Sequence, residues 1–151
     1  MSDTADERWM AIALDQARAA GAAGEVPIGA AVVQDDTLLA AAGNASIAEC
    51  DPTAHAEVRA LRAAGRRAGT YRLPAAVLYV TVEPCAMCLG AMLWARVERV
   101  VFGCHDPKAG AAGSVIDLTD DPRLNHRVRC TAGVGAAEAA ALLQDFFRAR
   151  R

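Results

Sequence analysis

Two short stretches hold residues able to do chemistry, His55-Ala56-Glu57 and Pro84-Cys85-Ala86-Met87-Cys88. One imidazole and two thiols make a borderline-soft donor set, and a catalytic zinc takes three protein ligands and leaves its fourth position for water. Cys85 and Cys88 are three residues apart, so on a first helical turn they face the same way. Unpaired N–H groups and the positive end of the helix dipole lie at such a turn, and both favour thiolate over thiol. Glu57 follows His55 by two residues, which on a helix turns it about 160° away. That spacing predicts a carboxylate that does not share the metal with His55 but leans over a substrate and moves protons there.

Taken alone, C-x-x-C also fits a thiol redox pair or half of a structural zinc knuckle. A knuckle needs a second pair, and Cys50, Cys104 and Cys130 stand singly. A redox pair leaves His-Ala-Glu without a role. His-x-Glu followed by Pro-Cys-x-x-Cys is instead the pattern of zinc enzymes that hydrolyse the amino group from a nucleobase. His105 and His126 have no partner at ligand spacing and are expected to be surface or loop residues. The three single cysteines are expected to be small apolar fillers.

The surrounding elements must bring these stretches together. Asp6–Ala20 reads as a helix with Met10, Ala13, Leu14 and Ala17 on one face, closed by Gly21 and Gly24. Ile28–Val33 and Thr37–Ala42 read as a hairpin around Asp35-Asp36. Asp51-Pro52-Thr53 opens a helix over Ala54–Ala64, with Thr53 as N-cap and Gly65 as the stop. Val77–Val82 is a strand, and a helix from Cys85 to Trp94 follows. That helix is apolar on nearly every face, so burial on two sides or a subunit interface is expected. Arg99–Phe102 and Arg127–Cys130 are further strands, with a Gly/Ala-rich loop at Asp106–Ser114. Gly135–Arg148 is the last helix, with Leu142, Leu143, Phe146 and Phe147 as its apolar edge. A hairpin followed by strand–helix units predicts an α/β fold of three layers, α/β/α, around a mixed five-stranded sheet.

The chain has 151 residues, which predicts one domain over 1–151, and 54% are hydrophobic, enough for a packed core. Its formal charge of −2 excludes a general nucleic-acid coating protein, so any such contact rests on a local patch. Lys108 is the single lysine. The start, Met1–Arg8, is polar and acidic, unlike a signal peptide, and five cysteines suit a reducing compartment; a cytoplasmic protein is expected.

Further stretches carry a family resemblance: Glu25-Val26-Pro27-Ile28-Gly29-Ala30, Asp51-Pro52-Thr53-Ala54-His55-Ala56-Glu57, Tyr71-Arg72-Leu73, and Leu78-Tyr79-Val80-Thr81 with Glu83-Pro84-Cys85-Ala86-Met87-Cys88. Val100-Val101-Phe102-Gly103, Gly110-Ala111-Ala112-Gly113-Ser114, Asn125-His126-Arg127-Val128 and the ending Phe146-Phe147-Arg148-Ala149-Arg150-Arg151 complete the set. Over nearly its whole length the chain resembles the bacterial tRNA-specific adenosine deaminases, the TadA family, of cytidine deaminase-like fold. The zinc motifs are shared with cytosine, cytidine and guanine deaminases; the Gly-Ala loop and the F-F-R-x-R-R ending are narrower.

The resemblance implies hydrolysis of adenosine to inosine at the wobble position of a tRNA anticodon, usually arginine tRNA, by a homodimer with one Zn2+ per subunit. It assigns His55, Cys85 and Cys88 to the zinc and Glu57 to proton transfer. Asn44 corresponds to the asparagine that hydrogen-bonds the flipped base, and Val26 and Pro27 to the pocket wall. Ala86, Asp106, Phe146, Phe147 and Arg148 complete the implied substrate-binding set, although core packing is the expected role of at least one phenylalanine. Cys104 and His105 depart from the alanine and arginine often found there. The basic tail often found in the family does not follow Arg151, so weaker phosphate attraction is expected. Two rival readings stay open: a deaminase of a free base or nucleoside such as guanine or cytosine, and a non-catalytic zinc-bearing RNA-binding protein.

Overall fold

A computed structural model describes residues 3–150. Strands β1 (Gly29–Gln34) and β2 (Thr37–Gly43) form a hairpin whose turn residues, Asp35 and Asp36, are both left-handed, with φ of 51° and 58°. A two-residue turn needs that conformation to match the twist of its strands, and aspartate tolerates it. Strand β3 (Val77–Val82) runs antiparallel to β1, and β4 (Arg99–Cys104) and β5 (Arg129–Ala132) continue in parallel, giving the order β2-β1-β3-β4-β5. The sheet is mixed and five-stranded, as expected.

Alternation along the strands splits the core into two layers. Ala30, Val32, Leu78, Val80, Val100 and Phe102 face helices α2 (Ala56–Ala68) and α3 (Ala86–Ala95). Ala31, Val33, Tyr79 and Val101 face α1 (Asp3–Ala22), through Met10, Ala13 and Leu14, and α4 (Ala136–Arg148), through Ala139. The α/β/α sandwich follows. Gly29 and Gly43 are cross-strand partners beneath α1, and a Cβ on Gly29 would overlap the Ala13 carbonyl oxygen. That close approach seats α1 directly on the hairpin.

Several boundaries differ from the sequence expectation, each for a local reason. Thr53 is not the N-cap of α2: Asp51 Oδ1 accepts both its N–H (2.8 Å) and its hydroxyl (2.7 Å), closing a separate turn. The cap is His55, and the helix passes Gly65 to end at Gly69, which has φ 75° and donates its N–H to the Gly65 carbonyl. The last strand starts two residues late because the Val128 N–H bonds Thr119, and pairing with the β4 edge begins at Arg129. Along α4 only Ala139 is buried; Phe147 is 47% exposed and neither terminal phenylalanine joins the core, contrary to expectation. Cys50 and Cys130 are exposed rather than apolar fillers, whereas Cys104 packs partly against the α1 side of the core. No helix among the described residues is long and apolar enough to cross a membrane.

One polar network ties α1 to the sheet. Asp6 is 5% exposed and accepts from the Tyr79 hydroxyl at 2.8 Å and from the Arg99 guanidinium at 2.8 and 3.1 Å. The Arg99 hydrogen bonds outweigh burial and hold the Asp6 carboxyl below its ordinary value, while burial and Asp6 push the Tyr79 hydroxyl up. Replacing Asp6 by Ala strands a buried phenol and a guanidinium, and should cost about 3 kcal/mol, the lower end for a broken buried pair. A carboxyl with a depressed folded pKa stabilises fully above its unfolded value of about 3.9 and loses that contribution as pH falls through the folded value. Urea denaturation from pH 7 to pH 2 should therefore show the gap between wild type and Asp6→Ala narrowing only below about pH 4. A constant gap would mean that the carboxylate charge contributes nothing.

Candidate metal and active site

One end of the sheet collects every segment that carries chemistry. The entry to β1 (Val26-Pro27-Ile28), the exit of β2 at Asn44 and the exits of β3 and β4 lie there, stitched by Asn44 N–H to Ile28 O (3.0 Å) and Glu83 N–H to Cys104 O (2.8 Å). Helices α2 and α3 begin at this same end. Their N-caps are His55 and Cys85, both in extended backbone and neither using its side chain as a cap. The two side chains are thus free to turn toward each other, with the positive ends of both helices behind them.

His55 Nδ1 lies 3.6 Å from Cys85 Sγ and 3.5 Å from Cys88 Sγ, and the three donor atoms sit within 4.8 Å of one another. A tetrahedral ion with Zn–N near 2.0–2.1 Å and Zn–S near 2.3 Å separates such atoms by about 3.6 Å. The donor set therefore fits a small tetrahedral cation. His105 and His126 are not part of it: His126 Nε2 meets the Val97 carbonyl at 2.8 Å, and His105 sits beside Glu83.

Charge is already arranged for metal. Cys88 donates to Cys85, and with His55 on the other side this pulls the Cys85 thiol down to about 4. Cys88, buried and donating, is pushed up, while the hydrogen bond that His55 donates to the Cys85 thiolate raises His55. Metal binding removes the remaining protons. Glu57 lies beside this cluster and is buried. Desolvation, the largest effect, pushes its carboxyl up to about 7. The helical rotation of 160° does not apply between His55 and Glu57, because His55 stands outside the helix at φ −74°, ψ 153°.

Asn44 Oδ1 accepts the Ala56 N–H at 2.7 Å, supplying from β2 the cap that His55 does not give. Its amide orientation is thereby set, with the Nδ2 donors as its remaining face. Pro27 is buried and Val26 half-buried at the entry to β1, and Ala86 is exposed on the first turn of α3. Asp106 turns its own loop, accepting from Lys108 and Ala109 through Oδ1. Phe146 and Phe147 pack edge to face at 5.3 Å, with the Arg150 guanidinium 3.5 Å over the Phe146 ring. Arg148 is exposed beside Asp145.

Two buried glutamates were not singled out from sequence. Glu25 accepts the Ile47 and Ala48 N–H groups (3.1 and 2.8 Å), holding the loop between Asn44 and His55. Glu83 accepts from the loop after β4. Burial alone would raise the Glu83 carboxyl, but the Ser114 hydroxyl and three backbone N–H groups outweigh it and hold it low. The signal available was an acidic residue placed directly before Pro-Cys, facing a later stretch of small residues rich in free N–H groups.

The profile of the MafB19-like deaminases matches residues 4–151. A tRNA-specific adenosine deaminase from Haemophilus influenzae is 47% identical over 147 residues, 97% of this chain and 85% of that protein. The chain belongs to the tRNA-specific adenosine deaminase family. A solved tRNA deaminase described as performing A-to-I editing at the wobble position of transfer RNA superimposes with a TM-score of 0.88 at 42% identity, covering 90% of this chain and 99% of that one. A guanine deaminase from Nitrosomonas europaea shares the fold at TM-score 0.77 and 30% identity, over 93% of this chain and 83% of that one. The architecture described above is therefore that of the cytidine deaminase-like enzymes, and the tRNA-specific adenosine deaminase family supplies its nearer likeness of the two.

Cys85→Ser tests the donor set without touching a cap bond, since Cys85 makes none. The variant should keep its far-UV circular dichroism and bind zinc more than about 100-fold more weakly, beyond the loss caused by an outer-sphere change. Wild-type-like zinc affinity by competition with a chelator would remove Cys85 from the donor set.

Proposed function

We propose that this deaminase converts adenosine to inosine at the wobble position of a tRNA anticodon, with arginine tRNA as the first substrate to try, and that it does so with zinc. The observation that carries the reading is the His55–Cys85–Cys88 cluster with a buried Glu57 against it, in a chain of this family. His55 Nδ1 and the two thiolates would hold the ion, which supplies Lewis-acid activation of water at neutral pH.

The remaining chemistry belongs to the chain. Glu57, raised toward neutrality by desolvation, suits a group that must both take a proton from water and give one to a ring nitrogen of adenine. Such acid–base work is worth about 10²–10⁴ in rate. Asn44, with Oδ1 committed to Ala56, offers only N–H donors, which suits an acceptor on a purine edge. Val26, Pro27 and Ala86 would wall the place taken by an extruded base, and an anticodon loop presents an unstacked base at lower cost than a duplex. Phe147 offers an exposed ring for a neighbouring base, and the exposed Arg148 and the half-exposed Asp106 would meet the loop.

A homodimer is proposed on the outer face of α2 and α3. There a groove of about 560 Å³ is walled by Val58, Leu61, Tyr71, Ala91 and Trp94, with Trp94 72% and Tyr71 65% exposed. This is the place to which the all-round apolar character of α3 pointed; sedimentation velocity decides it, and a monomer at micromolar concentration would remove the assignment. A cytoplasmic location accords with a tRNA substrate.

The experiment is deamination of an arginine-tRNA anticodon stem-loop with adenosine at the wobble position, run beside free adenosine, cytidine and guanine. Inosine in the RNA alone is expected. Ammonia from a free base, with the RNA untouched, would favour the guanine deaminase likeness and overturn the partner. Glu57→Gln should keep zinc and lose about 10²–10⁴ in kcat, and near-normal turnover would remove its proton-transfer role. Asn44→Asp keeps the acceptor for Ala56 and loses the donors. It should retain zinc and fold while kcat/KM falls about tenfold, and an unchanged value would end the base-contact role.

A further inference from the structure

We propose that Glu83 is a positioning residue for the reaction: its buried carboxylate fixes the His105–Ser114 loop against the metal-ligand turn and thereby sets where Asp106 meets the RNA.

Glu83 follows β3 directly and stands two residues before Cys85; its side chain has no solvent exposure. Every partner comes from one later segment. Oε1 accepts the Asp106 N–H at 3.0 Å and the Ser114 hydroxyl, with His105 Nδ1 at 3.3 Å. Oε2 accepts the N–H groups of Ala112 (3.0 Å) and Ser114 (3.1 Å). No guanidinium or ammonium is among these partners. The charge is met by three backbone N–H groups, a hydroxyl and the His105 ring, so the carboxylate acts as the hub around which the loop is wound.

The loop is shaped for this hub. A Cβ on Gly110 would overlap the Glu83 carboxylate, so only glycine lets the backbone pass. Beside it the Ala111 N–H bonds the Pro84 carbonyl at 2.8 Å, and Gly110 bridges to Cys85. One carboxylate thus holds both ends of the loop, and the loop in turn lies along the residue that carries a metal-binding thiol. Asp106 is half-exposed and gives Oδ1 to its own turn, and the Asp106 backbone N–H is one of the groups Glu83 pins. Although Ser114, His105 and Glu83 resemble a nucleophile triad in composition, Ser114 and Glu83 both approach His105 Nδ1, so the imidazole does not lie between them. Their arrangement is that of an anchor.

The inference rests on the RNA reading for Asp106, and two measurements keep the two apart. The first is hydrogen exchange of the loop amides in the zinc-loaded protein. Glu83→Gln keeps the shape but offers one acceptor oxygen and an NH2 group that faces N–H donors. Exchange at Asp106, Ala112 and Ser114 should quicken by about tenfold or more, with zinc content unchanged. Unchanged exchange overturns the anchor whatever the substrate is, and loss of zinc would mean that Glu83 serves the ligand turn instead.

The second measurement is a kinetic cycle on the anticodon stem-loop. Glu83→Gln should lower kcat/KM about tenfold, mostly through KM. With Asp106→Ala already present it should cost little more, because both changes act through one contact. Additive losses overturn the positioning role. Ser114→Ala, which removes one hydroxyl donor, must move both readouts in the same direction by about threefold, so the result does not depend on Glu83→Gln folding well. Wild-type protein inactive on RNA, with the exchange result intact, overturns the substrate reading and the Asp106 contact together while leaving the anchored loop.

Discussion

Three donor atoms meet because two helices start at the same end of one sheet. Neither α2 nor α3 caps its own first turn with its N-cap side chain, since His55 and Cys85 are both turned to each other instead. An uncapped helix start costs about 1 kcal/mol, and the fold offsets it from elsewhere: Asn44 reaches across from β2 to take the Ala56 N–H. The chemistry of the site and the capping of its helices are therefore one problem. Moving the β1–β2 hairpin relative to α2 would uncap the helix and shift His55 together. The glycine pair beneath α1, Gly29 and Gly43, sets that hairpin's position.

The buried acids divide by what compensates them. Asp6 is met by a guanidinium and a phenol and serves stability, far from the site end of the sheet. Glu25 and Glu83 are met by backbone N–H groups and hold loops that border the site. Glu57 has its strongest influence in desolvation, with little to hold its charge, and is the one raised to about 7. The same side-chain chemistry thus yields an ion-pair staple, loop anchors and a carboxyl raised toward neutrality, as the proposed proton transfer requires. The difference lies in the donors around each carboxylate rather than in burial, which all four share.

Much of this was legible in the chain. The apolar, β-branched run Ile28–Val33 and the stretch Val77–Val82 between Pro74 and Pro84 marked strands, and Met10, Ala13, Leu14 and Ala17 marked the buried face of α1. His-x-Glu and Cys-x-x-Cys are local patterns at helix starts, so their meeting could be read from type and spacing. What escaped depends on distant partners. Thr53 has the composition of an N-cap, but Asp51 claims its hydroxyl. Phe146 and Phe147 have the composition of core residues, but α4 meets the sheet through Ala139 and leaves them outside. Glu83 bonds residues 22 to 31 positions away, a relation with no local period. Sequence periodicity reports a residue's own element, whereas anchors join two elements and leave only composition as a trace.

The charge balance bears on how such a protein meets RNA. Many arginines are already occupied: Arg59 by Glu49, Arg99 by Asp6, Arg123 by Asp121, Arg127 by Asp120 and Arg129 by Glu98. An arginine held by a carboxylate contributes little net attraction to phosphate, and the whole chain carries −2. Recognition in the proposed role then rests more on shape, on loops held where one extruded base can enter between them. A flexible loop would lose ordering entropy on each encounter and has no surplus of charge attraction to offset that loss. Rigid anchoring by neutral backbone donors answers the same constraint from the protein side: it holds both loops in place without adding positive charge beside the His55–Cys85–Cys88 cluster and Glu57.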